Sequence, residues 1–465
     1  MIAPSSLLSH IAKFLQSRCW LLLMVATPFL LFPSPNTALA LFLVPGLGII
    51  FWLAGETPFP RTPLNSMLLL LSLMLLVSLG ATYDVVVSLP KIAGLLLGIG
   101  VFYCFVSYGS SARGWTLCLL TFLITGLGIA VVGLLGTQWA IKFDVLVPFT
   151  YRFEPRLTGL PGVEKGISPN QVAGALLWII PIFFALALIG LTQLGKRTTV
   201  PRRWLAPMNL LVWEATFFVV VVFVLCQSRS AYLALGIVAI AFLLWLARYR
   251  ARWFFSVLLI SGMLLAGFAW RYESDPSFRE AFGPHGLGGA SLALDTFDGR
   301  DKVWARAILG IEKYPLTGMG MNTFRYLVNT LEPLDPIYVG RDIAHAHNEF
   351  LQVALDLGIP GLIAFIGIYV VAFQMLSQVW CRAAEQRSEQ TDAPAFIFFE
   401  PRAARLLALG LGGGLFAHLL YGLTDAVALG AKPGILFWML LGLIVGLYQK
   451  PEKSNPCISE PEGGG

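Results

Sequence analysis

His347 lies in the stretch Ala344-His345-Ala346-His347-Asn348-Glu349-Phe350-Leu351-Gln352-Val353-Ala354-Leu355-Asp356-Leu357-Gly358-Ile359-Pro360-Gly361. An imidazole is the side chain best suited to take a proton near neutral pH. Two arginines offer complementary chemistry. Arg229 sits in Gln227-Ser228-Arg229-Ser230, a brief polar interruption between two apolar runs. A guanidinium at that depth is costly unless it meets a polar cavity or an anion, or snorkels to water from a helix end. Arg300 opens the charged stretch Arg300-Asp301-Lys302 in the longest polar interval. Guanidinium forks grip anionic oxygens, and buried arginine and histidine would also serve passage of an anion. Asp295, Asp298 and Asp301 recur at intervals of three, but turn and capping roles account for them, and no His or Glu completes a metal set.

The elements that must position these groups are helical. Asn348, Glu349, Gln352 and Asp356 share one face at three- and four-residue spacing, with Phe350, Leu351, Ala354 and Leu355 opposite. The pattern predicts a short helix lying at a membrane surface, broken by Gly358 and Pro360 before the apolar run Leu362–Met375. His347 is then either a cap or a working group. Upstream, Val303, Trp304, Ala307, Ile308 and Ile311 form a second helical stripe that Asp298 could cap, with Pro315 beyond its end.

Composition sets the class. The chain is 57% hydrophobic and 12% charged, against about 25% charged in soluble domains. Twelve apolar runs are long enough to be read as spans: 20–32, 38–53, 65–83, 91–108, 115–136, 171–194, 209–226, 230–247, 253–270, 360–378, 405–425 and 432–448. The expectation is an all-α, polytopic integral membrane protein of about 12 transmembrane helices, with a large helical periplasmic loop between spans 9 and 10. Residues 1–270 form spans 1–9 with an outer loop near 137–170, 271–349 the large outer loop, 350–448 spans 10–12, and 449–465 a disordered cytoplasmic tail. Cys19–Leu31 is read as a retained first span, with Ser5–Gln16 on the cytoplasmic surface, although Ala38-Leu39-Ala40 mimics a cleavage site.

Basic residues set the orientation. Lys196, Arg197, Arg202 and Arg203 form one cluster, Arg248, Arg250 and Arg252 another, and Arg382, Arg387, Arg402 and Arg405 flank a third loop. An even alternation puts all three on the cytoplasmic side. The formal charge of +6 is spread between apolar runs and gives no reason to invoke nucleic acid. Six scattered cysteines suggest neither a disulfide framework nor a zinc site.

His-Asn, nine residues, Gly, two residues, Gly resembles the signature of the O-antigen ligase family of membrane glycosyltransferases. The resemblance runs from about Thr158 to Trp438. It covers Arg156-x-x-Gly159, Ser168-Pro169-Asn170 (where the family has Asn-Pro-Asn), Gly318-x-Gly320-x-x-x-Phe324, and Asp425 with Pro433 and Phe437-Trp438. It places His347, and not His345, in the catalytic position, and Arg229 and Arg300 at the ligand-binding arginines. Arg156, Asn348 and Asp425 become further substrate-binding candidates. His418, seven residues before Asp425, is expected to share a helix face with it.

What the resemblance implies is transfer of a glycan from a polyprenyl (undecaprenyl) pyrophosphate carrier to an acceptor hydroxyl, on lipid A-core or a similar acceptor, at the periplasmic face of the bacterial inner membrane. No cofactor and no metal are implied, because pyrophosphate is already a competent leaving group. The partners are that lipid-linked donor, a lipid or glycan acceptor and membrane lipids. An O-antigen or exopolysaccharide polymerase of the same family is the alternative. A small-anion transporter is the reading from another class, against which stand the lack of an internal repeat and of paired broken helices.

Overall fold

The computed structural model describes residues 14–15, 19–31, 35–55, 59–137, 139, 146, 157, 166–194, 202–247, 251–276, 297–331, 343–385, 397–427 and 429–449. In chain order the α-helices are α1 (Cys19–Leu31), α2 (Leu43–Leu53), α3 (Asn65–Ala81), α4 (Val85–Tyr108), α5 (Ala112–Gly136), α6 (Pro169–Leu194), α7 (Arg202–Leu225), α8 (Arg229–Ala247) and α9 (Ala251–Ser274). They continue with α10 (Phe297–Lys313), α11 (Phe324–Leu331), α12 (Glu349–Glu385), α13 (Pro401–Gly422) and α14 (Ile435–Gln449). No β-strand occurs among the described residues; one isolated bridge pairs Thr137 with Ile167.

Each of the twelve apolar runs falls on a helix. Among the described residues, eight helices, α4–α8 and α12–α14, are long and apolar enough to cross a membrane, while α1, α2 and α3 are shorter apolar helices. The chain is an all-α polytopic membrane protein. Local chemistry fixes several starts: Asp84 accepts from Val86 N–H at the head of α4, and Ser111 from Gly114 N–H at the head of α5. The expected tail and the Ser5–Gln16 surface segment lie outside the described residues, apart from Phe14 and Leu15.

Small residues let the helices approach, as close packing in lipid requires. A Cβ on Gly414 of α13 would meet the Trp178 carbonyl of α6 at 2.5 Å, and one on Gly98 of α4 would meet the Trp438 ring of α14 at 2.1 Å. The α13–α6 contact is antiparallel, because Gly410 meets Ile182 and Ala185 while Gly414 meets Trp178. α6 is the most enclosed span, buried over four-fifths of its most apolar window.

Three sequence expectations need correction. The polar face of the 349–357 helix does not face water: Glu349, Gln352 and Asp356 are all buried. They face other backbone segments, whose N–H groups they hold. The stripe of α10 is also narrower than expected, since Val303 and Ala307 are buried but Ile308 is 48% exposed. In addition, α10 begins at Phe297, so Asp298 lies within the first turn and not before it. The described residues around α10 and α11 pack together nonetheless. Val303, Ala307, Met319, Phe324, Val328, Ile343, Ala346 and Leu355 form their own apolar cluster.

The helix break expected at Gly358 is present, with φ 72° and ψ 177° inside α12. The loop after α10 docks into that break. Met319 N–H donates to the Leu355 carbonyl at 2.6 Å, and Ile359 N–H donates to the Pro315 carbonyl at 2.7 Å. A Cβ at 358 would meet the Leu316 carbonyl oxygen at 2.4 Å, and one at 318 would meet Gly358 N at 2.7 Å. Both glycines are therefore required by positive φ and by backbone contact. Gly358→Ala is expected to destabilise by at least about 1–3 kcal/mol, read as a lower unfolding temperature in detergent. An unchanged temperature would mean that the junction is loose.

Candidate active site

His347 reaches the site from an unusual backbone position. Its φ is +49°, a left-handed conformation that Asn, Asp and His adopt more readily than other side chains. It is not the helix cap. Asn348 Oδ1 accepts from Phe350 N–H and Leu351 N–H, both at 3.0 Å, and Asn348 Nδ2 donates to the Leu423 carbonyl at 3.0 Å. Asn348 is thus the capping residue and a tie to the segment after α13. That leaves His347 outside the first helical turn.

The segment after α13 carries Asp425. It lies beyond the helix end at Gly422, so His418 and Asp425 do not share one helix face as expected. His418 is buried within α13, stacked on Trp178 at 4.0 Å, and its Nδ1 lies 3.4 Å from the Tyr369 hydroxyl. Asp425 Oδ1 lies 3.6 Å from His345 Nε2 and 3.8 Å from His347 Nδ1. Its Oδ2 is 2.8 Å from the Tyr421 hydroxyl, and Ala426 N–H donates to Oδ1 at 2.9 Å. The two imidazole rings are 4.4 Å apart.

His345 is not incidental. Its Nδ1 accepts the backbone N–H of His347 at 3.2 Å, and its Nε2 faces Asp425. Both ring nitrogens are engaged inside the protein, which leaves no basic atom for a substrate. Burial pushes its pKa down to about 3, aided by the charges of His347, Lys91 and Arg300, with Asp425 pulling the other way. For Asp425, burial alone would raise the pKa, but His345, His347, Arg300 and the Tyr421 hydroxyl outweigh it and hold the carboxyl below its ordinary value.

The sign for stability follows. Between about 6.5 and 3 an unfolded His345 takes up a proton that the folded one refuses, so stability falls as pH falls through that window. Depression of Asp425 acts in the same direction, because its contribution is lost as pH falls through its folded value. His345→Gln is therefore expected to flatten the decline of unfolding temperature between pH 6.5 and 4. Parallel curves for parent and variant would show that His345 is protonated in the folded protein.

A buried polar chain holds the loop from beneath. Ala346 N–H donates to Gln352 Oε1 at 2.8 Å, Gln352 Nε2 donates to Asp356 Oδ1 at 2.9 Å, and Asp356 Oδ2 pairs with Lys91 at 2.9 Å. Asn322 N–H also donates to Asp356 Oδ1, at 3.1 Å. Glu349 holds the other side: Val427 N–H and Leu429 N–H donate to its carboxylate at 2.6 and 3.1 Å. One carboxylate thus ties the start of α12 to the strap that bears Asp425. None of Lys91, Glu349, Gln352, Asp356 and Tyr421 was singled out from sequence as part of the site. The only signal was polarity repeated on one helix face.

Arg300, in the first turn of α10, is 6% exposed, and its charge is felt at both His345 and Asp425. Its Nε is buried with no hydrogen-bond acceptor among the described residues. A guanidinium so placed fits an incoming anion. Arg229 begins α8 after a turn in which Gln227 has φ 51°. α8 doubles back on α7, and a Cβ on Gly413 of α13 would meet the Val238 side chain at 3.3 Å. Nine residues separate Val238 from Arg229, and nine separate Gly413 from Gly422, in antiparallel helices. Arg229 therefore lies at the same end of the bundle as the Asp425 strap, half-buried. Arg156 lies outside the described residues.

One ligand atom from each of His345, His347 and Asp425 lies within 4.8 Å of the others, a set of donors that could hold a metal ion. The charge of Arg300 beside them opposes a dication there.

The site is a histidine, carboxylate and guanidinium cluster at one end of an apolar helical membrane bundle. Residues 215–366 match the family model described as O-antigen ligase, a segment that contains Arg229, Arg300 and His347. That segment carries the likeness to the O-antigen ligase family, a family of membrane ligases and polymerases. No curated protein matches the chain.

Proposed function

We propose that this protein moves a glycan from a polyprenyl pyrophosphate carrier to an acceptor hydroxyl at the periplasmic face of the inner membrane, as a ligase for lipid A-core or a similar acceptor. The observation that carries the reading is the joining of His347, Asp425 and the buried Arg300, whose Nε has no acceptor among the described residues, at one end of a membrane bundle. Arg300, with Arg229 at the same end, grips the pyrophosphate and stabilises the charge that departs with it. His347, whose Nδ1 lies 3.8 Å from Asp425 Oδ1, takes the proton of the acceptor hydroxyl. Asp425 favours the imidazolium that forms when the proton arrives, and the hydroxyl oxygen displaces the pyrophosphate from the anomeric carbon with inversion.

No metal takes part in this scheme, so chelation is expected to leave the rate unchanged. The basic loops 195–203, 248–252 and 382–405 then face the cytoplasm. Deletion of the protein tests the role in cells. Loss of long chains from lipopolysaccharide, with lipid-linked polymer accumulating, is the expected result. Loss of polymer length itself would make the protein a polymerase.

A further inference from the structure

At the opposite end of the bundle lies a cationic cluster that the proposed transfer does not use. Arg405 stands near the start of α13, which runs to Gly422. At 1.5 Å per residue, about 25 Å of helix separates it from the point where the strap of Asp425 begins. Its guanidinium lies over the Trp380 ring of α12 at 4.2 Å. Trp245 of α8 meets the same ring edge-on at 5.0 Å, so three helices converge here. Arg405 Nε is buried, with no hydrogen-bond acceptor among the described residues. Arg402, exposed and three residues earlier, adds a second guanidinium on the same helix face. No carboxylate pairs with either arginine among the described residues. Glu400, the nearest acid in sequence, is engaged by α6, where Gln193 Nε2 donates to its Oε2 at 3.0 Å.

The cluster sits at the depth of lipid headgroups. Arg405 opens one apolar run, while Trp245 and Trp380 stand where the apolar parts of α8 and α12 close. Tryptophan and arginine gather at that level, because each joins an apolar body to a polar tip. An arginine that merely snorkelled would release its head to water. Here Trp380 covers one face of the guanidinium and Nε is enclosed. Apolar surface adjoins the cluster, since Leu243 and Leu246, beside Trp245 in sequence, are both exposed.

We infer that Arg405 and Arg402 hold the phosphate of an anionic phospholipid, in the leaflet away from the catalytic cluster. The inference stands apart from the transfer reading, because none of these residues belongs to that cluster. Guanidinium forks take phosphate oxygens in pairs, and two of them one turn apart suit a phosphate ester. The aromatic and apolar surroundings at the edge of the hydrocarbon select a lipid over a soluble phosphate. The two cations select an anionic head over a zwitterionic one. An ethanolamine head carries its own ammonium, which the guanidiniums repel.

The test is native mass spectrometry of the full-length protein, released from detergent with equal amounts of phosphatidylglycerol and phosphatidylethanolamine of the same chains. The parent is expected to retain phosphatidylglycerol at least about ten-fold better, the worth of one hydrogen bond between charged groups. Arg402→Gln combined with Arg405→Gln is expected to remove that preference, and a double variant that kept it would overturn the inference. Arg382→Gln is the control at the same end of the bundle. Its guanidinium already donates to the Tyr448 carbonyl at 3.1 Å and to Gln378 Oε1 at 3.3 Å, so its loss should leave the preference as in the parent. An equal drop at 382 would overturn the inference, since overall charge and not a site would then explain the retention. Equal retention of both lipids by the parent would also overturn it, a result that needs no variant to fold. Millimolar inorganic phosphate is expected not to release the lipid. Release would overturn the lipid reading and make this a site for soluble phosphate.

Discussion

His347→Asn is expected to insert and fold like the parent yet transfer glycan about 10²–10⁴-fold more slowly, the usual worth of a general base. The structure makes asparagine a sharp replacement. Position 347 has φ +49°, which asparagine accepts readily. The helix cap is already supplied by Asn348 through Phe350 and Leu351. The substitution therefore removes the basic nitrogen and keeps the turn. Initial transfer rates, compared at matched expression and unfolding temperature, check it. Full activity would make His347 a structural residue. His345→Gln is expected to cost far less, because both nitrogens of His345 serve the protein and neither serves the substrate.

Arg300→Lys is the second large effect expected, a loss of roughly 10²–10³-fold, the magnitude of removing one donor that stabilises developing anionic charge. Charge is conserved in this change but the fork is not, and a lysine ammonium cannot hold two phosphate oxygens at once. Arg229→Lys is expected to fall in the same direction. Arg306 provides the control. It is as buried as Arg300, but its Nη1 donates to the Lys302 carbonyl at 2.8 Å within its own helix. Arg306→Lys should leave the rate near that of the parent, read from the transfer rate at saturating donor. Equal losses at 300 and 306 would mean that general damage to α10, and not a grip on pyrophosphate, explains the effect.

Much of the bundle was legible because hydrocarbon demands long apolar runs, and all twelve runs lie on helices. The break at Gly358 was legible for a similar reason, since few residues other than glycine tolerate its φ. The environment of the 349–357 helix was not. Polar residues at three- and four-residue spacing look alike whether water or buried backbone faces them, and here Glu349 holds the 427–429 strap while Asp356 holds Asn322 N–H. The partnership of His347 with Asp425 crosses 78 residues and depends on how α13 ends. No local spacing records it. His345 was set aside in favour of His347 on motif grounds, and only the hydrogen bond from His347 N–H shows what it does.

The most direct measurement is transfer by the purified protein in liposomes that contain a polyprenyl-pyrophosphate-linked glycan and a hydroxyl-bearing lipid acceptor, with no nucleotide present. Glycosylated acceptor and free polyprenyl pyrophosphate should appear in equal amounts with the parent, and fall together with His347→Asn. Solute flux across the liposomes without any lipid-linked glycan, and no release of polyprenyl pyrophosphate when the donor is supplied, would contradict a transferase and point to a transporter.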